Sequence, residues 1–568
     1  MPGGSSLPSY QCLTRRDRRQ TLTLPTTMRR RALIVSMAVI VLGALALLWS
    51  RTSNDGGPAT PIYLDETAAA GITHAYDGEF PFFVGGGVAT FDCNDDGFPD
   101  LYFAGGERPA ALYVNESTVG GALRFVVKPS SVTDLTLVTG AYPLDVDNDG
   151  LLDLAVLRRG GNAILGGLGN CEFDDVTEKV GIDPDADWTV SFSATWETGN
   201  QLPTMVFGSY LVPDTYKCGT NKLWRPTGAV YSAAVELPGH CTLSVLFSDW
   251  NRDGRVDLRV SNDRNYDREA REQLWRIRAG EPPYEYRAAD GWRDLVIWGM
   301  GIASHDLTGD GKPEIYLTSQ SDNKLQTLEP GVNEPTYRDI ALARGVTAHR
   351  PYVGGDILPS TAWHPEFDDV NNDGFIDLFV AKGNVEGQID YAANDPNNLL
   401  LGTADGTFVE RGSESGIAND ARSRGAALVD LNLDGLLDLV VVNRRVQVEV
   451  RRNVGNGTSD SPRTMGRWLA VRLRQPAPNT SAVGAFVEVR TTDEIITREH
   501  TVGGGHASGE MGWIHFGVGN SSTAEIRVTF PGAAPGEWQA VDTNSFYDLQ
   551  RGATPVRWQP ARDRFAGD

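Results

Sequence analysis

The chain has 568 residues and a formal net charge of −23, from 74 acidic against 51 basic side chains. That balance excludes a general nucleic-acid binder, which needs a basic face to displace counterions. Hydrophobic residues at 40% and charged residues at 22% exclude global disorder, and the length suits several domains or one large repeat array. The glycine content, 63 residues, suits many tight turns and points to β structure.

Ala32 to Trp49 (ALIVSMAVIVLGALALLW) carries no charge. As a helix it covers about 27 Å, enough to span a bilayer core. Seven arginines (Arg15, Arg16, Arg18, Arg19 and Arg29 to Arg31) precede it and only Arg51 follows closely. The positive-inside rule then predicts a cytoplasmic basic tail over 1–31, a signal anchor over 32–49 and an outward-facing remainder. A cleaved signal peptide is the alternative. It fits less well because Leu47, Leu48 and Trp49 stand where small residues are wanted. Met28 is a second candidate start.

Four cysteines lie beyond the hydrophobic segment, an even number for an oxidising compartment. Cys218–Cys241, closing the shortest loop between non-adjacent segments, is the expected pair, which leaves Cys93 with Cys171. Asn115, Asn456, Asn479 and Asn520 begin N-x-S/T sequons.

One acidic pattern then recurs: DCNDDGFPDL from Asp92, DVDNDGLLDL from Asp145, DWNRDGRVDL from Asp249, DLTGDGKPEI from Asp306, DVNNDGFIDL from Asp369 and DLNLDGLLDL from Asp430. The starts are 53, 104, 57, 63 and 61 residues apart, so the gap of 104 hides a further unit. It is placed at Trp196, where Trp196, Thr198, Asn200 and Thr204 stand at the ligand positions and the acids are gone. Each unit also carries short apolar runs (DLYFAGG, LYVN, NLLL) and a segment of the form F-x-x-V-T-x-x-x-G-I, as in Phe173 to Ile182. Four short strands per unit predict a seven-bladed, all-β propeller over 62–458, after a linker at 50–61. A copy of the last segment, Tyr63 to Ile72, precedes the first acidic loop and is expected to complete the final blade.

The acidic loops converge hard oxygens on one point. The expected ligands are Asp92, Asn94, Asp96 and Asp100; Asp145, Asp147, Asp149 and Asp153; Asp249, Asn251, Asp253 and Asp257; Asp306, Thr308, Asp310 and Glu314; Asp369, Asn371, Asp373 and Asp377; and Asp430, Asn432, Asp434 and Asp438. An all-oxygen, carboxylate-rich set selects calcium over zinc or copper, and magnesium, with its strict octahedron, fits less well. An EF-hand is excluded, because position 12 is apolar in every copy (Phe103, Val156, Val260, Leu317, Val380, Val441). Up to six calcium ions would move the net charge from −23 to −11.

A linker at 459–466 leads into alternating strands at Trp468–Leu473, Ala485–Val489, Trp513–Phe516 and Ile526–Phe530. They predict a small β-sandwich over 467–558, followed by a tail at 559–568. Gly503–Gly505 and His506 lack the strand-to-helix context of a phosphate loop and are read as turn glycines.

The repeats resemble FG-GAP/VCBS propeller repeats, as in integrin α-subunit heads. The tail resembles the ASPIC/UnbV domain through Trp468-Leu469-x-Val471-x-Leu473, Val483-Gly484-Ala485-x-Val487-x-Val489, Arg498-Glu499, Gly503–Gly505 and His515–Gly519. Together they are similar to the cartilage acidic protein-like family. That resemblance implies a secreted or surface calcium-binding protein used in adhesion or extracellular interaction. His506 and Gly509 depart from the Tyr and Gln the family pattern leads one to expect.

No G-x-S-x-G, H-E-x-x-H, Walker A or kinase motif is present. The reading is therefore a membrane-anchored, non-catalytic calcium-binding interaction module whose partner is an extracellular protein or glycan. The alternative is a calcium-dependent carbohydrate-active enzyme of polysaccharide-lyase type, with Arg264, Arg268 and Arg271 as its basic candidates.

Overall fold

The computed structural model describes residues 58–183, 187–492, 494–561 and 564. The expected signal anchor and cytoplasmic tail lie outside the described residues. Among the described residues no helix is long and apolar enough to cross a membrane.

The described chain is almost entirely β. Seven sheets follow one another, each an antiparallel run in chain order. Their first strands are Val88–Phe91, Val138–Leu144, Thr189–Thr195, Thr242–Ser248, Gly299–His305, Ala362–Asp368 and Arg422–Val429. Each first strand packs against the first strand of the next sheet, and Arg422–Val429 returns to Val88–Phe91. This closed, propeller-like ring leaves only short sheet edges, those of the first strands facing its axis. The last sheet is completed by the chain's own beginning: Tyr63–Asp65 pairs antiparallel with Glu449–Asn453, Tyr63 opposite Asn453.

Burial explains the sequence pattern. First strands such as Val138–Leu144 and second strands such as Thr204–Ser209 are buried at every position, so they read as near-continuous apolar runs. Fourth strands such as Phe173–Asp175 bury only their first residue. The segment after that strand is a single helical turn, Thr177–Val180, ended by Gly181 in the left-handed region (φ 84°). The unit hidden in the gap of the repeat forms a full sheet, Thr189–Thr195, Thr204–Ser209, Asn221–Thr227 and Val230–Leu237. Both disulfides form, Cys93–Cys171 and Cys218–Cys241.

The C-terminal region is a sandwich of two four-stranded sheets. One contains Arg467–Arg474, Ile514–Gly519, Ser545–Gln550 and Val556–Trp558; the other contains Phe486–Arg490, Ile495–Glu499, Thr523–Thr529 and Gln539–Asp542. It rests on the ring face that carries the acidic loops. Trp513 Nε1 donates to the Gly97 carbonyl (2.9 Å), the Asp249 N–H donates to Glu499 (2.8 Å), and Arg498 pairs with Asp368 (2.6 Å).

From this sandwich the segment Val502–Met511 runs down the axis of the ring. Gly509–Met511 pairs in parallel with Val88–Phe91. Val502, Gly503, Gly505 and Ser508 form bridges to Ala194, Leu246, Ile302 and Ala141 on other first strands. The N–H groups of Gly504 and Gly505 donate to the carbonyls of Val245 (2.8 Å) and Ile302 (2.6 Å). A Cβ on Gly87 would stand 1.7 Å from the Ala507 carbonyl oxygen, and one on Gly140 would stand 2.2 Å from the same atom. The turn-glycine reading of Gly503–Gly505 is thereby corrected: all three have positive φ, but they thread the channel. Side chains there would collide with Ser193, Ile302 and His364.

Candidate metal centres and the plugged channel

Each acidic loop joins the first strand of a sheet to its second. The six copies share one backbone. Position 6 is glycine in the left-handed region, with φ from 80° to 94° (Gly97, Gly150, Gly254, Gly311, Gly374, Gly435). Position 4 is left-handed as well (Asp95, Asn148, Arg252, Gly309, Asn372, Leu433), although its residue type varies freely.

These two turns aim main-chain N–H groups at the acids. The position 6 N–H donates to the carboxylate at position 1 in every loop, at 2.7 Å for Gly97 to Asp92 and 2.8 Å for Gly254 to Asp249, Gly311 to Asp306, Gly374 to Asp369 and Gly435 to Asp430. Gly150 reaches Asp145 at 3.0 Å. The position 7 N–H donates to position 5, as Leu151 does to Asp149 (2.8 Å) and Phe375 to Asp373 (2.9 Å). In the second loop the oxygens of Asp145, Asp147 and Asp149 lie within 4.8 Å of one another.

Position 9 stands apart. Asp100, Asp153, Asp377 and Asp438 each take the position 2 N–H on one oxygen and an N–H of the third strand or its end (Asn115, Gly167, Gly402, Asn453) on the other. Glu314 takes the Leu307 N–H and the Thr327 hydroxyl, while Asp257 takes Trp250 Nε1, Tyr286 and Arg278. This acid therefore ties its loop to its sheet. A carboxylate offers about four lone-pair positions, so those accepting two N–H bonds keep capacity for an ion.

Burial pushes these carboxyls up: Asp249 to about 6, Asp100 and Glu314 to about 7, Asp153 to about 8, and Asp369, Asp377, Asp430 and Asp438 well above the ordinary range. Neighbouring acids add to the effect, as Asp373 does at Asp369. A divalent cation reverses that electrostatic cost, so the donor set fits a hard, oxygen-seeking ion.

The unit at Trp196 carries no such set. Glu197 is buried there and accepts from the Thr204 hydroxyl (2.7 Å) and Arg225 Nε (2.7 Å). An internal ion pair takes the place of the acidic loop. The remaining cysteine-containing group, Cys93, Asp100 and Cys171, offers no thiolate, because the cysteines are joined.

Below the loops, the segment Val502–Met511 and the sheet ends enclose a cavity of about 180 Å³. Its lining includes Glu366, Asp368, Arg498, Glu510, His305, His364 and His500. Among the described residues the Glu510 carboxyl has no hydrogen-bond partner, and its side chain is exposed where it lines this space. His506, at the tip of the segment, is fully buried: Nε2 accepts the Gly85 N–H (3.1 Å) and Nδ1 faces the Met300 carbonyl (3.2 Å). The basic residues considered for lyase chemistry are engaged elsewhere. Arg264 lies over Trp298 (5.2 Å), and Arg271 lies 3.7 Å from Glu285 and from Asp294. Arg268 contributes its backbone carbonyl to Arg264.

Comparison with known proteins agrees with this architecture. The model for the FG-GAP-like repeat matches residues 92–156 and 369–441, and the ASPIC and UnbV model matches residues 475–556. Cartilage acidic protein 1 of Mus musculus is 29% identical over 159 residues, covering 26% of this chain and 21% of that protein. The Homo sapiens protein is 28% identical over 173 residues, covering 28% and 22%. The match therefore spans about a fifth of these relatives' length. Among solved structures, BBS1N in complex with ARL6DN aligns with a TM-score of 0.38 at 12% identity, covering 69% of this chain and 97% of that one. An Agrocybe aegerita lectin specific for non-reducing terminal N-acetylglucosamine aligns with a TM-score of 0.36 at 15% identity, covering 62% and 88%. Likeness at this level carries no inference about this chain's ligands. The repeats, the terminal domain and the curated relatives agree, and the chain belongs with the FG-GAP repeat proteins that carry an ASPIC and UnbV domain, the cartilage acidic protein-like family.

Proposed function

We propose that the chain is a calcium-binding, seven-bladed propeller displayed outside the cytoplasm, anchored by residues 32–49, and acting as a non-catalytic module that binds an extracellular protein or glycan. One observation carries the reading: six loops of different sequence fold to the same double left-handed turn, each holding its position 1 carboxylate on the position 6 N–H, and the second gathers three carboxylates within 4.8 Å of one another. A solvated Asp-Gly turn has no need of that gathering. The two disulfides suit an oxidising compartment.

The test is unfolding of the full chain in detergent, in excess EGTA, then in calcium, then in magnesium. A site held at 100 times its Kd contributes about 2.7 kcal/mol, so several filled sites should raise the transition by many degrees. Metal analysis of the chain as purified distinguishes loops already filled from loops that bind nothing. Stability indifferent to calcium in a metal-free chain removes the support for this function.

A further inference from the structure

At the ring face opposite the acidic loops, where first strands begin and second strands end, a cavity of about 220 Å³ opens. Its walls are aromatic: Phe80, Phe83, Trp188, Tyr210, Tyr266 and Trp363. The rings meet in sequence at steep angles. Phe80 meets Trp188 at 5.8 Å and 84°, Trp188 meets Tyr210 at 5.3 Å and 83°, and Tyr210 meets Tyr266 at 6.0 Å and 80°. Tyr216, 71% exposed, stacks on Tyr266 at 5.7 Å and touches Phe80 at 5.9 Å, which closes the circuit.

A carboxylate belongs to the same lining. Asp263 is 1% exposed and accepts from the Tyr210 hydroxyl (2.7 Å), the Asn265 N–H (3.0 Å) and Asn265 Nδ2 (3.0 Å). It has no cationic partner among the described residues. The adjacent Arg264 turns away, over Trp298 and onto the Arg268 carbonyl. Arg424 and Arg444 sit on the rings of Trp363 (4.1 Å) and Phe83 (4.4 Å) and are not part of the lining, and among the described residues no cation sits on Phe80, Trp188, Tyr210 or Tyr266. Trp188 is 2% exposed and its indole N–H has no acceptor.

A buried carboxylate without a cation shares this lining with aromatic rings and with an indole donor that has no acceptor, a combination that suits an organic cation carrying an oxygen. We infer that this cavity is an aromatic cage for a quaternary ammonium group, with Asp263 as its counter-charge and Trp188 Nε1 donating to an oxygen on the ligand. Ring faces attract a desolvated cation, and a trimethylammonium group gives up little hydration to enter. The cage is independent of the calcium reading, because it shares no residue with the acidic loops.

The probe is choline, titrated calorimetrically into the full chain, with neutral 3,3-dimethyl-1-butanol as its isostere. Choline should bind at least about tenfold more tightly than the isostere. Tyr266→Leu should weaken choline by about 2- to 30-fold, and Asp263→Asn by about tenfold or more, with calcium-dependent unfolding as in the parent. A trimethyl-lysine peptide and phosphatidylcholine vesicles carry the same group, and the tighter of the two names its source. Equal binding of choline and the isostere, or no binding of any trimethylammonium probe, overturns the inference. So does a Tyr266→Leu chain that folds and binds choline as the parent does.

Discussion

His506 offers a direct test that the terminal domain plugs the channel. Because the Gly85 N–H donates to Nε2, the ring proton sits on Nδ1 and points at the Met300 carbonyl, so the imidazole is neutral with a fixed tautomer. Burial, with Arg424 and His364 nearby, lowers its pKa from 6.5 to about 3. Between those values the unfolded chain binds a proton that the folded chain refuses. The stabilisation is therefore full above about pH 6.5 and is lost as pH falls toward 3. From pH 7 to pH 5 this one residue costs about 2 kcal/mol, a sizeable part of a typical stability. Glu366, pushed up to about 8, and Glu499, to about 7, shift stability the opposite way over the same range. The informative quantity is thus the difference between parent and His506→Gln. Urea unfolding at constant calcium should show the variant weaker by about 1–3 kcal/mol at pH 7, where a buried hydrogen-bonding group loses its partner. Its deficit should shrink by about 2 kcal/mol at pH 5. Parallel pH profiles for the two chains would refute a neutral, buried His506 and with it the plugged channel.

Other expectations follow from the same packing. Gly87→Ala adds one methyl where the Ala507 carbonyl already stands, at a backbone angle any residue adopts, and should cost about 3 kcal/mol or more in urea unfolding. Glu272 is fully buried, with Oε1 accepting the Asn262 N–H (3.0 Å) and Oε2 unpartnered, and burial pushes it from 4.5 to about 7. Here the folded state holds the extra proton, so stability falls as pH rises from 4.5 toward 7, and Glu272→Gln should gain about 1–3 kcal/mol at pH 8 and nothing below pH 4.5. Opening Cys218–Cys241, which spans 23 residues, by the paired change to serine should cost about 3 kcal/mol, read from the shift in urea midpoint.

The repeat was legible because the acidic loop fixes residue types at fixed positions. Asp at position 1 and Gly at position 6 answer to one hydrogen bond, repeated six times. The role of position 9 was less legible. An acid there reads as a ligand in sequence, whereas its two oxygens also bind the loop to the third strand. The hidden unit kept its strands and lost its acids because Glu197 and Arg225 supply the same tie from other positions. Position 4 left no trace at all, since its left-handed backbone is occupied by Asp, Asn, Arg, Gly and Leu in turn.

The plug and the cage were illegible for a different reason: each is assembled from many sheets, one or two residues at a time. A signal did exist for the plug. Gly140 and Gly425 stand in a first strand and Gly87 immediately precedes one, where a sheet-forming sequence gains nothing from glycine. A Cβ at any of the three would strike the terminal domain: the Ala507 carbonyl for the first two, Ser508 Oγ at 2.4 Å for the third. The triple glycine at 503–505 is the other half of that fit, small residues facing small residues where two backbones pass. For the cage, Asp263 and Tyr266 lie in the stretch that carries Arg264, Arg268 and Arg271, none of which lines the cavity. The chemistry sits instead on Asp263 and Tyr266, which with Asn265 reach the cavity that Phe80, Trp188 and Tyr210 line from other parts of the chain.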